Sequence, residues 1–248
     1  MEVHAHTHPS TSSGHRKKWT HYFWEFLMLF LAVFCGFLAE YQLEHKIEKD
    51  RSRQLILSFY DDLHINLKTF ERIIHINKRK IEAFNNIFFC YDSISLKIKN
   101  TTCLLNMIKG SQTFANVTFA DGTLGQLKNA GGFRLLNKED RDSIIYYDKL
   151  IDNYLNWEST GFQNTQNNVR DAVDMFGNFE INKALLSDTL SIHDVSVLLN
   201  ADSNTVNRIF NVLARYKKYI GEQSARMNFF IKKSNSLINY FQEKYHYN

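Results

Sequence analysis

The sequence predicts an all-α protein, with an N-terminal transmembrane helix followed by an elongated antiparallel bundle of three long helices and short connecting helices. Three observations support this fold class. An uncharged apolar run occupies residues 26–39, directly after a basic and aromatic segment. Apolar residues recur with helical spacing over three later stretches. The single proline, Pro9, precedes all of them, and no convincing strand-like alternation is present.

The apolar run and the aromatic residues before it predict a transmembrane helix at residues 19–40. As a helix, residues 22–39 would extend about 27 Å, close to the hydrocarbon thickness of a bilayer. Trp19 and Trp24 belong to an interfacial aromatic belt behind the basic residues 16–18. A cleaved signal is disfavoured, because Phe37 occupies a position where cleavage needs a small residue. The segment is therefore expected to remain as an anchor.

The charges that flank the span predict its orientation. Three basic residues precede it, whereas Glu40 and Glu44 follow it before the first lysine, Lys46. Because basic residues favour the cytoplasmic side, the N-terminus is expected in the cytoplasm and the C-terminal domain outside it. Within the span, Ala32 and Gly36 form a small-xxx-small pair that would allow two copies to pack closely. This pair predicts a homo-oligomer.

Residues after the span separate into a charged stalk at 41–54 and a bundle domain at 55–248. The stalk is rich in Glu, Lys and Arg, which is typical of a solvated helix. The first bundle helix carries one apolar face, consisting of Phe59, Leu63, Leu67, Phe70, Ile74, Ile81, Phe84 and Phe88. About 200 residues are enough for one domain with a substantial core.

Two further long helices are predicted. One begins after an N-cap at Asn137, and Gly161 is expected to be tolerated within it or to kink it. Its apolar positions are Ile144, Tyr147, Ile151, Tyr154, Phe162, Val169, Val173 and Phe176. The other begins near Asp202 or Ser203 and runs through Val206, Ile209, Leu213, Tyr216, Ile220, Met227, Ile231, Ile238, Phe241 and Tyr245. Between the long helices, residues 113–119 are expected to be extended and residues 194–199 to form a short helix.

Histidine-rich and acidic patterns offer weak candidates for metal binding. Residues 1–18 are predicted to be a flexible cytoplasmic tail, in which His4, His6 and His8 alternate as they would on one side of an extended chain. A di-metal centre in the bundle would use Asp61 with His64 and Glu243 with His246. The tightest amino-terminal copper motif needs histidine as the third residue, whereas here the first histidine is the fourth. The di-metal pattern is incomplete, because Asp61 lies off the apolar face and His246 lies at the terminus. No metal or other cofactor is therefore expected.

Cys90 and Cys103 lie close enough in sequence to form a disulfide if the domain is outside the cytoplasm. Such a bond would close a short loop and stabilise the fold by about 3 kcal/mol. The alternative is two unpaired thiols in a reducing compartment or in a packed core. The sequence leaves both open.

The segment QLKNAGGFRLL predicts a tight corner between two helices. The double glycine, Gly131 and Gly132, is typical of a helix end at which one residue adopts the left-handed backbone conformation. A functional alternative makes Lys128 and Arg134 an anion-binding pair beside the Gly131 and Gly132 amides. The structural interpretation is favoured, because neither phosphate-loop spacing nor a strand–turn–helix context is present.

Composition and motifs argue against two classes of function. The formal net charge is +4, with the basic residues spread along the chain, so a nucleic-acid interface is not expected. No nucleophile elbow, no Cys/His pair with catalytic spacing and no glycine-rich phosphate loop occur. The sequence therefore predicts a protein that is not an enzyme.

The segments RKKWTHYFWEFLMLFLAVFCGFLAE and QLKNAGGFRLL resemble a family of single-span inner-membrane proteins from Bacteroidetes-type bacteria, which has no assigned function. The resemblance covers about a fifth of the chain. It implies a bacterial inner-membrane location, and hence a periplasmic C-terminal domain, but it implies no activity and no site residues.

Two main functional hypotheses follow. The first is a membrane-anchored, non-enzymatic helical module of the cell envelope that binds another protein or its own copies. The second is a sensor-like periplasmic ligand-binding domain that works with a separate effector, because the cytoplasmic tail is too short for a signalling domain. A metalloenzyme in the bundle is a third. The bilayer is the expected partner in every case.

Overall fold

The computed structural model describes residues 15–89, 91, 114–129, 131–176 and 203–247. Every regular element within these ranges is helical, which confirms the all-α class. The chain divides into two compact units, Met1–Arg53 and Gln54–Asn248. Helix α1, His15–Phe88, contributes residues to both units.

The N-terminal part of α1 contains the predicted apolar segment. An 18-residue window of this helix has a mean hydropathy of 2.0, and none of the window is buried within the chain. By length and composition, this helix can cross a membrane, although a signal sequence near the N-terminus would pass the same test.

In the second unit, α1 packs against the C-terminal helix α5, Ser203–Tyr245. The ring centroids of Phe59 and Phe241 are 6.1 Å apart, and those of Phe84 and Tyr216 are 5.5 Å apart. Phe59 precedes Phe84 in α1, whereas its partner Phe241 follows Tyr216 in α5. The two helices are therefore antiparallel. Burial of Phe59, Phe84, Tyr216 and Phe241 agrees with the apolar faces that predict these helices.

Helix α2, Gly122–Asn129, and a short 3₁₀ helix, Gly132–Leu135, lead into helix α3, Lys138–Trp157. The Oδ1 atom of Asn137 accepts a hydrogen bond from the Asp140 N–H at 3.0 Å, which confirms the predicted N-cap. Gly131 between α2 and the 3₁₀ helix has φ 64°, the left-handed conformation that glycine adopts most readily. The double glycine thus forms the predicted corner.

Helix α3 is also antiparallel to α5. Asp140 near the start of α3 contacts Lys244 near the end of α5. Tyr147, later in α3, has its hydroxyl 2.9 Å from that of Ser234, which lies earlier in α5. Helices α1 and α3 therefore run in the same direction, and α5 returns against both. A long connection between α1 and α3 in the sequence permits this arrangement.

A π-helical turn, Glu158–Phe162, joins α3 to helix α4, Gln163–Phe176. The Gln163 N–H donates to the Glu158 carbonyl, five residues back. A Cβ added to Gly161 would lie 3.2 Å from Cε1 of Tyr219, so this glycine allows α5 to approach the turn closely. The helix continues through Gly161, as expected, but with an altered hydrogen-bond pattern.

Residues 114–121 form a non-regular strap across the helices. Ala115, Val117 and Phe119 are buried, and the residues between them are less so, which is the pattern expected of an extended segment. Phe119 packs on Phe70, Tyr154 and Phe230. The short helix predicted at 194–199 lies outside the described residues.

Candidate functional sites

The predicted metal and disulfide residues are only partly covered. His4, His6, His8, Cys90 and Cys103 lie outside the described residues. Metal binding by the tail therefore stays the disfavoured alternative, and the choice between a disulfide and two unpaired thiols stays open. Among the described residues, no group of three or more His, Cys, Asp or Glu side chains could hold a metal ion.

The predicted anion-site residues lie at the corner between α2 and α3. The Lys128 ammonium group is 2.7 Å from Oδ1 of Asp148, and this hydrogen bond raises the pKa of Lys128. An ideal Cβ on Gly132 would lie 3.1 Å from Cα of Leu127, so Gly132 allows close packing at the corner. Arg134 belongs to the 3₁₀ helix. Because Asp148 already binds Lys128, the geometry favours a structural corner. Anion binding by Lys128 and Arg134 stays the alternative.

Asp140 ties the start of α3 to the end of α5. Its carboxylate, which is fully buried, accepts hydrogen bonds from the Lys244 ammonium group at 2.8 Å and the Tyr240 hydroxyl at 2.7 Å. Tyr245 also donates to it. Burial alone would raise the pKa of Asp140, but the hydrogen bonds from Lys244, Tyr245 and Tyr240 outweigh burial and lower it. Asn137 Nδ2 donates to the same carboxylate from the N-cap. The cluster is a clamp between two helices, since Lys244, Tyr240 and Tyr245 all belong to α5.

A second polar cluster lies inside the bundle and is defined by Asn77, Gln223, Tyr154 and Glu158. Asn77 Nδ2 donates to Gln223 Oε1 at 2.8 Å, and Gln223 Nε2 donates to the Tyr154 hydroxyl at 3.1 Å. The Tyr154 hydroxyl donates in turn to Glu158 Oε1 at 3.0 Å. The chain of hydrogen bonds links α1, α5 and α3 to the π-helical turn.

The strap of residues 114–121 also forms hydrogen bonds to this buried cluster. Gln223 Nε2 also donates to the Ala115 carbonyl at 2.9 Å, and the Val117 N–H donates to Glu158 Oε1 at 3.4 Å. Burial raises the pKa of Glu158, opposed by the hydrogen bonds from Tyr154 and Val117. Burial therefore makes this carboxyl easier to protonate than an exposed one.

Lys80 is a buried cation one helical turn from Asn77. Its ammonium group lies 3.5 Å from the Tyr216 hydroxyl and 5.8 Å from the centroid of the Phe114 ring. Burial lowers the pKa of Lys80 to about 8. The guanidinium of Arg170 lies over the same Phe114 ring at 4.7 Å, so two cations flank the start of the strap.

A groove with a volume of about 430 Å³ lies between α4 and α5. Helix α4 contributes Asn168, Asp171 and Ala172 to it. The α5 side consists of Thr205, Arg208, Ile209, Val212 and Arg215. Ala172, Ile209 and Val212 are buried, so the groove combines an apolar floor with charged walls.

The apolar part of α1 has two unlike faces. The rings of Phe26, Phe30 and Phe34 stack in series, with centroids 6.3 Å and 5.9 Å apart. At 3.6 residues per turn, Ala32 and Gly36 lie on the opposite side of the helix. One side is therefore bulky and aromatic, whereas the other is small enough for close helix contact.

Comparisons with protein-family models, curated proteins and solved structures found no match, so they transfer no activity or site residue to this chain. The resemblance to the single-span bacterial family stays a prediction. The buried cluster was not predicted from the sequence, although a signal existed. Asn77, Glu158 and Gln223 are polar residues at positions that continue the apolar faces of their helices.

Proposed function

We propose that this protein is a membrane-anchored helical module of the bacterial cell envelope that binds another protein or its own copies and is not an enzyme. The observation that carries the proposal is the apolar window of α1, of which no part is buried within the chain. Such a surface needs an apolar environment, which a bilayer supplies.

The charges at the ends of the span support an orientation with the N-terminus in the cytoplasm. The bundle would then form an elongated domain in the periplasm, anchored in the inner membrane. Fusions at the C-terminus to alkaline phosphatase and to a fluorescent protein that matures only in the cytoplasm test this topology. Phosphatase activity without fluorescence is expected, whereas the reverse result would overturn the orientation.

The two faces of the apolar helix support self-association through Ala32 and Gly36. Ala39 lies on the same side as this pair, whereas Phe37 lies on the aromatic side at a similar depth. In a background without native cysteines, Ala39→Cys should form an oxidative dimer in membranes, and Phe37→Cys should form much less.

A bulky residue should remove this contact. Adding Gly36→Ile to the Ala39→Cys variant is expected to abolish the dimer, because small residues are needed for close approach of two helices. Equal cross-linking at Ala39→Cys and Phe37→Cys would show that no preferred face exists. The self-association proposal would then fail, and binding to a different protein would remain.

The groove between α4 and α5 favours a second candidate, a sensor-like ligand-binding domain. A concave site with an apolar floor and a few charged groups is typical of ligand binding. In this role the domain would act with a separate effector in the membrane.

A further inference from the structure

We infer that the groove between α4 and α5 binds a zwitterionic short peptide with apolar side chains. The inference deepens the ligand-binding candidate and rests on it, but it is independent of membrane topology and of self-association. It follows from the charges on the two walls, from the floor between them and from the volume of the groove.

The two walls carry opposite charges. Arg208 and Arg215 line the α5 side, and Asp171 lines the α4 side. In the part of the chain that the structure describes, none of these three side chains forms an ion pair or a hydrogen bond. By contrast, Lys128 and Lys244 are paired with aspartates. Among the described residues, no side chain competes with a ligand for these three charges.

The arginines share one side of α5. Seven residues apart, they differ by only about 20° around the helix and lie about 10 Å apart along it. A guanidinium group binds a carboxylate through two parallel hydrogen bonds, so either arginine suits a terminal carboxylate. Asp171 on the opposite wall suits an ammonium group.

The floor is apolar and firmly held. Ile209 is 1% exposed, and Ala172 and Val212 are also buried within the core that joins α4 to α5. Side chains of a ligand that rest on this floor would be removed from water. The volume, about 430 Å³, lies within the usual range for small-molecule sites, and it suits a ligand of dipeptide size.

The combination of charges distinguishes this ligand from a simple anion. Inorganic phosphate or acetate would contact the arginines but would leave Asp171 facing a like charge. A ligand with both a carboxylate and an ammonium group satisfies both walls. The groove is thus matched to a zwitterion.

The test is calorimetric titration of the full-length protein in detergent micelles with L-leucyl-L-leucine and L-valyl-L-valine. We expect at least one dipeptide to bind, and R208Q/R215Q to weaken its binding at least tenfold. The matched control is R72Q/R79Q. Arg72 and Arg79 have the same spacing, are exposed on α1 and do not line the groove.

Modified dipeptides assign the two ends. Amidation of the carboxylate should weaken binding to the wild-type protein about as much as R208Q/R215Q does. Asp171→Asn should weaken binding of the free dipeptide but leave binding of its N-acetyl derivative unchanged, because the acetyl group removes the ammonium charge. Thermal unfolding of each variant at the wild-type midpoint would show that the fold is retained.

Three results would overturn the inference. These are no binding of either dipeptide, equal loss of affinity in R208Q/R215Q and R72Q/R79Q, or binding of inorganic phosphate as tight as that of the dipeptides. None of them bears on the fusion or cross-linking experiments, so failure of this site is distinguishable from failure of the anchored-module proposal.

Discussion

Replacement of Glu158 by glutamine is expected to stabilise the helical domain at neutral pH and to reduce the pH dependence of its stability. Glu158 is 7% exposed, and its Oε1 accepts hydrogen bonds from the Tyr154 hydroxyl and the Val117 N–H. Glutamine retains an oxygen that can accept both bonds. It differs from glutamate chiefly in that it never carries a charge.

The direction and the slope follow from proton binding. Because burial raises the pKa of Glu158 above 4.5, the folded state keeps this proton at pH values where the unfolded state has lost it. Stability therefore falls as pH rises through this window, by about 1.4 kcal/mol for each pH unit. Below the window the carboxyl is neutral in both states, and the variant and the wild type should have similar stability. Above the window, the stabilisation from the proton that Glu158 keeps in the folded state is lost completely.

Trp157 provides a local probe of unfolding. Its ring centroid lies 5.5 Å from that of Tyr154 and 5.7 Å from that of Phe162, on both sides of the π-helical turn. Replacing Trp19 and Trp24 by phenylalanine leaves Trp157 as the one tryptophan of the chain. Urea unfolding in detergent, followed by its fluorescence from about pH 4 to about pH 8, gives the free energy of unfolding at each pH.

The matched control is Glu82→Gln, at an exposed position of α1. It makes the same chemical change without removing a buried carboxyl, so it should leave the pH dependence of the wild type intact. Parallel pH profiles for the wild type and Glu158→Gln would refute the reasoning. The carboxyl would then titrate alike in the folded and unfolded states.

Three further perturbations test the helix contacts. Gly161→Ala should destabilise the domain by about 1 kcal/mol in thermal or urea unfolding. The added Cβ would lie 3.2 Å from Cε1 of Tyr219, whose ring packs on Trp157 with centroids 6.0 Å apart, so the crowding outweighs the helix propensity gained. Gly125→Ala, where the space is open, should not destabilise it. Asp140→Asn should lower the free energy of unfolding by about 1.5–3 kcal/mol, since it weakens charged hydrogen bonds. The difference from the wild type should shrink in acid, as pH falls from 3.8 through the lowered pKa of Asp140. Lys80→Met should flatten a rise in wild-type stability with pH between about 8 and 10.5, where the folded state has released the Lys80 proton and the unfolded state has not.

Features that depend on near neighbours in the chain were predictable. The spacing of Phe59, Leu63, Phe70 and Phe84 predicts a buried face, and all four side chains are buried. The capping residue Asn137 is also local, because its partner is only three residues away. Residues three or four apart on a helix are neighbours whatever the rest of the fold does, so the sequence encodes these relations directly.

The buried cluster was only half visible in the sequence. Asn77, Glu158 and Gln223 each fall on an apolar face, which signals a polar group in the core. Which groups bind each other depends on the register of α1, α3 and α5, whose partners are up to 146 residues apart. Likewise, the sequence does not show whether the helix tolerates Gly161, kinks there or packs closely against another helix. That depends on Tyr219, which belongs to a different helix.

By itself, the sequence determined the helical class, the apolar segment able to span a membrane and the faces that the helices bury. Only the tertiary structure decided that Asp171 and the two arginines of α5 line one groove, because in the sequence they are indistinguishable from other solvated charges. The physical reason is that a helix presents a different side with each residue, about 100° apart. Which charges meet across two helices is therefore set by how the helices rotate to fill the core, and long-range packing alone determines that rotation.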